Sequence, residues 1–394
     1  MKTVGFVTGT RILIVVLLLG TILLPVASCK SDGDALSDEH NPGSNVPVAF
    51  SIGDPIWDLL IAGDEMWVGT IGCVVRCDLN KGTIQKYTVR DGLGSNIARA
   101  LARDSRGNIW VTGYLAGVSR FDGTKWQNFT VQDGLISNEV ITVEADTHGG
   151  IWVSAYWGVS YFDGIEWESF TSVEPDALIV GGENPNNPDA TVLSGVELNA
   201  ADVTFIDSRG DVWFSTRGSG VNRFDGENWE LFTSADGMAE GGVNAITEDK
   251  DGNLWFGGSK DITRFDGSQF QVFNIQEYQS IIPRPQIMDI EQDKQGNIWV
   301  AAFGGGVSRY DGATWQVFTS ADGLPSDNAR IIYLDREGNP CVITDKGVST
   351  FNGTNWQTLT TEDGLPAGEI RTVATDDAGN LWFGSAGGKI KRIQ

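Results

Sequence analysis

Asp293-Lys-Gln-Gly-Asn-Ile-Trp299, continued by Gly306-Val-Ser-Arg-Tyr-Asp-Gly312 and by Trp315 and Phe318, is one copy of a unit that recurs along most of the chain. Its anchor is a short apolar run carrying a Trp. The run returns at Trp67, Trp110, Trp152, Trp213, Trp255, Trp299 and Trp382, and an eighth copy, Pro340-Cys-Val342, has Cys341 in the Trp position. Successive anchors are 43, 42, 61, 42, 44, 42 and 41 residues apart. A period of about 40–45 residues in strand-forming sequence is the signature of a β-propeller. The expectation is an all-β fold of eight four-stranded blades. Seven is the alternative if the Cys341 unit is degenerate, but its flanks, Asp335-Arg-Glu-Gly-Asn339 and Asn352-Gly-Thr-Asn-Trp356, keep the pattern.

Working outward from the anchor, each unit reads as an inner apolar strand, an Asp-x-x-Gly-Asn turn and the Trp strand. A Gly-rich turn, a Val-Ser-Arg-Phe strand, an Asp-Gly turn and a Trp-x-x-Phe strand complete it. The Asp-x-x-Gly-Asn turns (Asp104 to Asn108, Asp249 to Asn253, Asp376 to Asn380) suit tight hairpins, because Asp and Asn bond their own backbone and Gly tolerates positive φ. They lack the carboxylate spacing and closing Glu of a calcium loop, so no metal site is expected. In Trp126-Gln-Asn-Phe129 the two aromatics are three apart and therefore face opposite sides of a strand. A sheet that is apolar on both faces needs covering on both, which neighbouring blades supply. The outer-strand residues Trp126, Trp167, Trp229, Trp315 and Trp356 are accordingly read as core.

The ends carry a different message. Lys2 and Arg11 precede an apolar run from Ile12 to Leu24, then Val26-Ala-Ser-Cys29. A basic start, an apolar middle and small residues before the cut describe a secretory leader. The Cys after Val-Ala-Ser resembles a bacterial lipobox, which implies cleavage before Cys29 and lipidation of its thiol. The chain then divides into a leader (1–28), an acidic tether (29–45) and a propeller (46–394) with an insertion at about 172–200. The tether is too polar to order itself. The last blade stops after its third strand, Lys389-Ile-Lys-Arg-Ile393, and Val46-Pro-Val-Ala-Phe-Ser51 has no blade of its own. The latter is expected to complete the former and close the ring.

The formal net charge is −24. Such a chain repels phosphate backbones, so nucleic acid is excluded as a partner, and anionic polysaccharides are disfavoured on the same ground. Besides Cys29 there are Cys73, Cys77 and Cys341. Two Cys four apart in a strand are too distant to bridge, and no metal-type spacing occurs. Buried thiols are expected. No phosphate-binding loop, nucleophile elbow or zinc motif is present, and no cofactor is implied.

The repeated Asp-Gly-Leu-Pro/Ser, Gly-Asn-x-Trp and Gly-Val-Ser-Arg-Phe-Asp-Gly elements resemble the two-component regulator propeller repeat. The resemblance covers about residues 50–394. It implies an extracytoplasmic sensor-type module, often responsive to carbohydrate-derived ligands, here on a lipid anchor and without kinase or transmembrane parts. Streptogramin-lyase propellers share the Gly-Asn-x-Trp pattern and as a family use a His near a Glu; His148 is the one His of the propeller and sits in an Asp146-Thr-His-Gly-Gly turn. The expected function is non-catalytic binding of a carbohydrate-type or other small ligand, or of an envelope protein, by a monomer at the cell envelope. Lys30 after Cys29 goes with the outer membrane in lipoprotein families. The alternatives are a propeller lyase or glycoside hydrolase with carboxylates at the mouth, and a scaffold of a surface complex. The candidate ligand residues are those that vary in the turn after each Trp strand: Tyr114, Tyr156, Trp157, Arg217, Lys260, Phe303 and Lys346. Aromatics and cations there suit sugar stacking or a carboxylated ligand.

Overall fold

Every repeat folds as one antiparallel sheet, and eight such sheets form the ring. The computed structural model describes residues 49–172, 189–198, 204–216, 220–259, 261–274, 286–360, 363, 365–366 and 368–393. The leader, the tether and Cys29 lie outside them. The innermost strands of blades I to VIII are Ile56–Ala62, Ala98–Arg103, Val140–Ala145, Thr204–Ile206, Val243–Glu248, Gln286–Gln292, Ala329–Leu334 and Ile370–Thr375. The unit at Cys341 is a full blade, so the ring has eight. Cys341 fills the Trp position as a buried thiol that burial pushes up to about 12, and Cys73 and Cys77 are buried and unbridged too. Among the described residues no helix is long and apolar enough to cross a membrane.

The Trp strand holds neighbouring blades together. Trp110 stacks on Phe129 of its own outer strand at 5.6 Å and meets Trp167 of the next blade edge-on at 6.1 Å. Trp299 repeats this with Phe318 at 5.8 Å and Trp356 at 5.9 Å. Trp126 belongs to the apolar cluster on one side of its blade and Phe129 to the cluster on the other, as the spacing requires. Two polar contacts recur on five of these rings, those of Trp110, Trp213, Trp255, Trp299 and Trp382. Trp110 Nε1 donates to Asp104 Oδ2 at 2.9 Å, and the same bond recurs from Trp213 to Asp207, Trp255 to Asp249, Trp299 to Asp293 and Trp382 to Asp376. The Arg of Val-Ser-Arg-Phe lies directly across the strand pair and places its guanidinium over the indole, Arg120 at 5.6 Å from Trp110 and Arg309 at 5.8 Å from Trp299. The Asp of the turn therefore serves two ends, capping its own hairpin and satisfying a buried indole.

The Gly before Val-Ser-Arg-Phe has a steric reason. A Cβ on Gly117, Gly158 or Gly220 would lie 2.0 Å from a carbonyl oxygen of its own blade's outer strand, and each backbone has positive φ. The connections that leave blades I, II, IV and VI are each a single capped 3-10 turn. Thr88 and Asp91 cap each other's backbone, Gly92 follows in the left-handed region, and Leu93 is buried between blades. Thr130/Asp133, Thr233/Asp236 and Thr319/Asp322 repeat the box. The insertion departs from this pattern. Thr191–Val192 adds a parallel fifth strand to blade III, and Val196 takes the buried position that Leu93 holds elsewhere. The backbone N–H of Glu197 meets Asn222 as that of Gly94 meets Ser119, so the repeat resumes at Val196.

Ala49–Ser51 pairs antiparallel with Lys389–Ile393 as the outer strand of blade VIII. The first and last segments of the propeller thus share one sheet. A chain starting at residue 52 exposes the edge of Lys389–Ile393. Its unfolding midpoint is expected to fall by about 5 °C or more, with concentration-dependent association on size exclusion. An unchanged midpoint and a monomeric profile would remove the closing role from this strand.

Candidate functional site

The meander puts the turn after each Trp strand and the capped connection at one end of the central channel, and the Asp-x-x-Gly-Asn turns at the other. Near the first of these ends, seven inner strands carry a register shift at the same place, between Ile56 and Asp58, Ala98 and Leu101, Val140 and Thr142, Val243 and Ala245, Ile287 and Asp289, Ala329 and Ile331, and Ile370 and Thr372. A bulge bends a strand and re-aims a side chain. The re-aimed residues are Trp57, Arg99, Ile141, Asn244, Met288, Arg330 and Arg371. All but Ile141 are half-buried while both neighbours in sequence are buried. On a strand that lines the axis, the accessible direction is the channel. The equivalent residue of blade IV lies outside the described residues.

This axial ring is polarised. Blades VII, VIII, I and II contribute Arg330, Arg371, Trp57 and Arg99, four neighbours in a row. Blades III, V and VI contribute Ile141, Asn244 and Met288, with no charge. Arg371 places its guanidinium 4.5 Å from the Trp57 ring centroid, and Arg99 lies 5.9 Å from the same ring. Arg330 lies 5.6 Å from the Phe303 ring and forms an ion pair with Glu369. Burial, then the like charge of Arg330, pushes the Arg371 pKa below the usual guanidinium range. Neither Arg99 nor Arg371 is ion-paired with a described carboxylate. Trp57 Nε1 is buried and meets no acceptor among the described residues. At the rim, Asp345 accepts from Asn328 Nδ2 at 2.9 Å, and its carboxyl stays below the usual range: burial opposes this, while hydrogen bonds and Arg330 and Lys346 favour it.

The residues expected from the turns are distributed around this mouth. Phe303, 42% exposed, reaches Arg330 from blade VI. Tyr114 is 49% exposed on blade II, beside Leu115, which is 51% exposed. Leu115 is the one non-glycine residue of positive φ among the described residues, at 55°, where the corresponding turn of blade VI has Gly304. Tyr156 and Trp157 are half-buried, and the Trp157 carbonyl accepts from Thr171 Oγ1 at 2.7 Å. Lys346 is exposed, its backbone N–H held by Thr344 Oγ1. Arg217 and Lys260 lie outside the described residues. Sequence reasoning passed over Trp57, Arg99, Arg330 and Arg371. Their signal was present, since this position near the start of the inner strand varies from Trp to Arg to Ile to Asn to Met while the residue before it stays apolar. His148 hangs in the Asp146 turn of blade III, exposed, at the opposite end of the channel.

Just below the mouth the blades are stitched by buried carboxylates. Asp58 accepts the N–H of Leu59 and of Leu101 in blade II, each at 2.8 Å, and a longer bond from Thr372 of blade VIII. Asp289 joins blades VI and VII through Ile290 and Ile332 in the same way. Burial pushes Asp58 up to about 7, against the pull of these donors. Its folded pKa exceeds the unfolded one, so the folded state binds the extra proton between pH ~4 and ~7 and stability from this group falls as pH rises through that window. The Asp58→Asn variant removes that dependence. Denaturant unfolding at pH 5 and pH 8 is expected to show the wild type losing stability relative to Asp58→Asn as pH rises. A gap that does not change with pH would contradict it.

The model of the two component regulator propeller matches residues 92–114, 237–260 and 364–387, each running from the capped connection through the inner strand to the turn after the Trp strand, or its equivalent in blade VIII. No curated protein matches the chain by sequence. Among solved structures, the extracellular domain of a hybrid two component system from B. thetaiotaomicron is 21% identical, with a TM-score of 0.50 over 85% of this chain and 51% of that one. The chain thus spans about half the length of that domain. PorZ of Porphyromonas gingivalis, a surface component of the type-IX secretion system, is 18% identical with a TM-score of 0.53, over 86% and 55%. Virginiamycin B lyase from Staphylococcus aureus is 14% identical with a TM-score of 0.51, over 75% and 94%. At these identities the likeness is one of fold. Three segments of the chain thus match the two component regulator propeller repeat, and all eight blades share the architecture those segments belong to.

Proposed function

We propose that the chain is a non-catalytic, ligand-binding propeller of sensor type, held at the bacterial cell envelope by a lipid on Cys29, and that it takes its ligand at the polarised mouth. The observation that carries this reading is the convergence of Arg371 and Arg99 on Trp57, with Arg330 close enough to Arg371 to repel it, on four adjacent inner strands. Folding alone does not ask for it. The scaffold is complete in blades III and V with Ile141 and Asn244 at the same position, and half-buried guanidiniums such as Arg371 and Arg99, with no ion-pair partner among the described carboxylates, cost stability. Residues that a fold tolerates but does not need are explained by what they bind. The extracellular placement of the hybrid two component relative supports an envelope setting, as do the leader and Cys29.

The reading is tested by thermal-shift screening of the chain from residue 46 against mono- and oligosaccharides and envelope extracts, with a photo-crosslinked pull-down beside it. A ligand is expected to raise the wild-type midpoint by roughly 4 °C near saturation and to leave the Trp57→Ala variant unmoved. No shift with any fraction, together with no crosslinked partner that depends on Trp57, would overturn the assignment.

A further inference from the structure

The chemistry of the mouth narrows its ligand. Three guanidiniums share one arc of the ring; Glu369 pairs with Arg330 and Asp345 lies near it at the rim, while no described carboxylate pairs with Arg371 or Arg99. Arg371 lies against the Trp57 indole, which holds its plane and leaves its N–H edge for a partner. A planar fork of donors matches the two oxygens of a carboxylate, or two oxygens of a sulfate or phosphate. Across the channel, Ile141 and Met288 offer no polar partner, and Asn244 gives its Nδ2 to the Ile287 carbonyl at 3.0 Å. One end of a bound molecule would therefore meet cations and the other, along blades III, V and VI, an apolar or neutral wall among the described residues.

Building on the reading of the mouth as a binding site, we infer that its ligand is a small molecule bearing an oxyanion. Arg371 and Arg99 hold the oxyanion beside Trp57, and Glu369 holds Arg330 as a built-in counter-anion that the ligand competes with. The net charge of −24 argues against acidic ligands only at long range. Within a Debye length of about 8 Å the local arginines dominate over distant surface carboxylates. The low-dielectric walls of the channel add to this, by focusing the field of the cations.

The inference is tested by calorimetry and Trp fluorescence on the chain from residue 46. The probes are D-glucuronate and its neutral counterpart D-glucuronamide, with inorganic sulfate and inorganic phosphate as the other oxyanion sources. At least one oxyanion is expected to bind, with glucuronamide about tenfold or more weaker than glucuronate if the carboxylate is the preferred form. Arg371→Gln and Arg99→Gln are each expected to lose about tenfold for that oxyanion. Thermal unfolding of both variants separates loss of the site from loss of the fold. Glu369→Gln frees Arg330 and is expected to bind the same oxyanion at least about threefold more tightly, a gain that a merely structural ion pair would not produce. Equal binding of glucuronate and glucuronamide that needs Trp57 would overturn the oxyanion while sparing the mouth as a site. Oxyanion binding unchanged in both Arg variants would overturn the residue assignment. No oxyanion binding up to ~50 mM would overturn the inference outright.

Discussion

The structure depends on one repeated contact, a tryptophan seated between two blades. The ring of Trp299 is stacked on the Phe of its own outer strand, met edge-on by the outer Trp of the next blade, covered by Arg309 and tied through Nε1 to Asp293. Burying such an aromatic contributes about 3 kcal/mol, and the hydrogen bond removes the penalty that an unpaired indole N–H would add. A single blade cannot make this contact, because half of it belongs to the neighbour. Stability therefore comes with the closed ring, and the sharing of blade VIII between the two chain ends follows from it. Blade VII shows the tolerance of the arrangement: Cys341 replaces the Trp, and Ile331, Ile343 and Phe383 are buried around it.

Because the wedges sit midway out along the blades, the inner strands are freed from most of the work of holding the ring together. They crowd round the axis, and in the seven blades described there a bulge sits at the same level and turns its residue to the channel in place of the core. Scaffold and site are thereby separated by a few ångströms within one strand. Asp58 is buried and stitches three blades, through the backbone N–H groups of Leu59 and Leu101 and the hydroxyl of Thr372, while its neighbour Trp57 carries the platform for Arg371. A residue that varies freely from blade to blade is released from the demands of the scaffold, and the arc from Arg330 to Arg99 occupies such positions.

The mouth also corrects an inference from bulk charge. An acidic chain is expected to shun acidic ligands, yet its axial ring gathers three arginines on one side, two of them with no ion-pair partner among the described carboxylates. Net charge describes the far field. What a ligand meets at contact is set by the handful of groups that the fold brings to one place, and those come from segments as far apart as residues 57 and 371.

Periodicity alone was enough for the architecture. Trp anchors at intervals near 42 residues, an orphan strand at one end and a three-strand blade at the other determine a closed ring of eight, because each repeat can bury its two apolar faces only against its neighbours. The core role of the outer Trp residues was legible for the same reason. The turn residues Tyr114, Phe303 and Lys346 could be assigned to one face from meander topology. What only the tertiary structure decided was the axis. A strand of alternating buried and exposed positions reads as facing core and solvent, and nothing local in Ile56-Trp-Asp-Leu or Ile370-Arg-Thr-Val announces a bulge. Ring closure supplies the bulge's meaning: it turns Trp57, Arg99, Arg330 and Arg371 toward a common centre, and the 314 residues between Asp58 and Thr372 become a hydrogen bond.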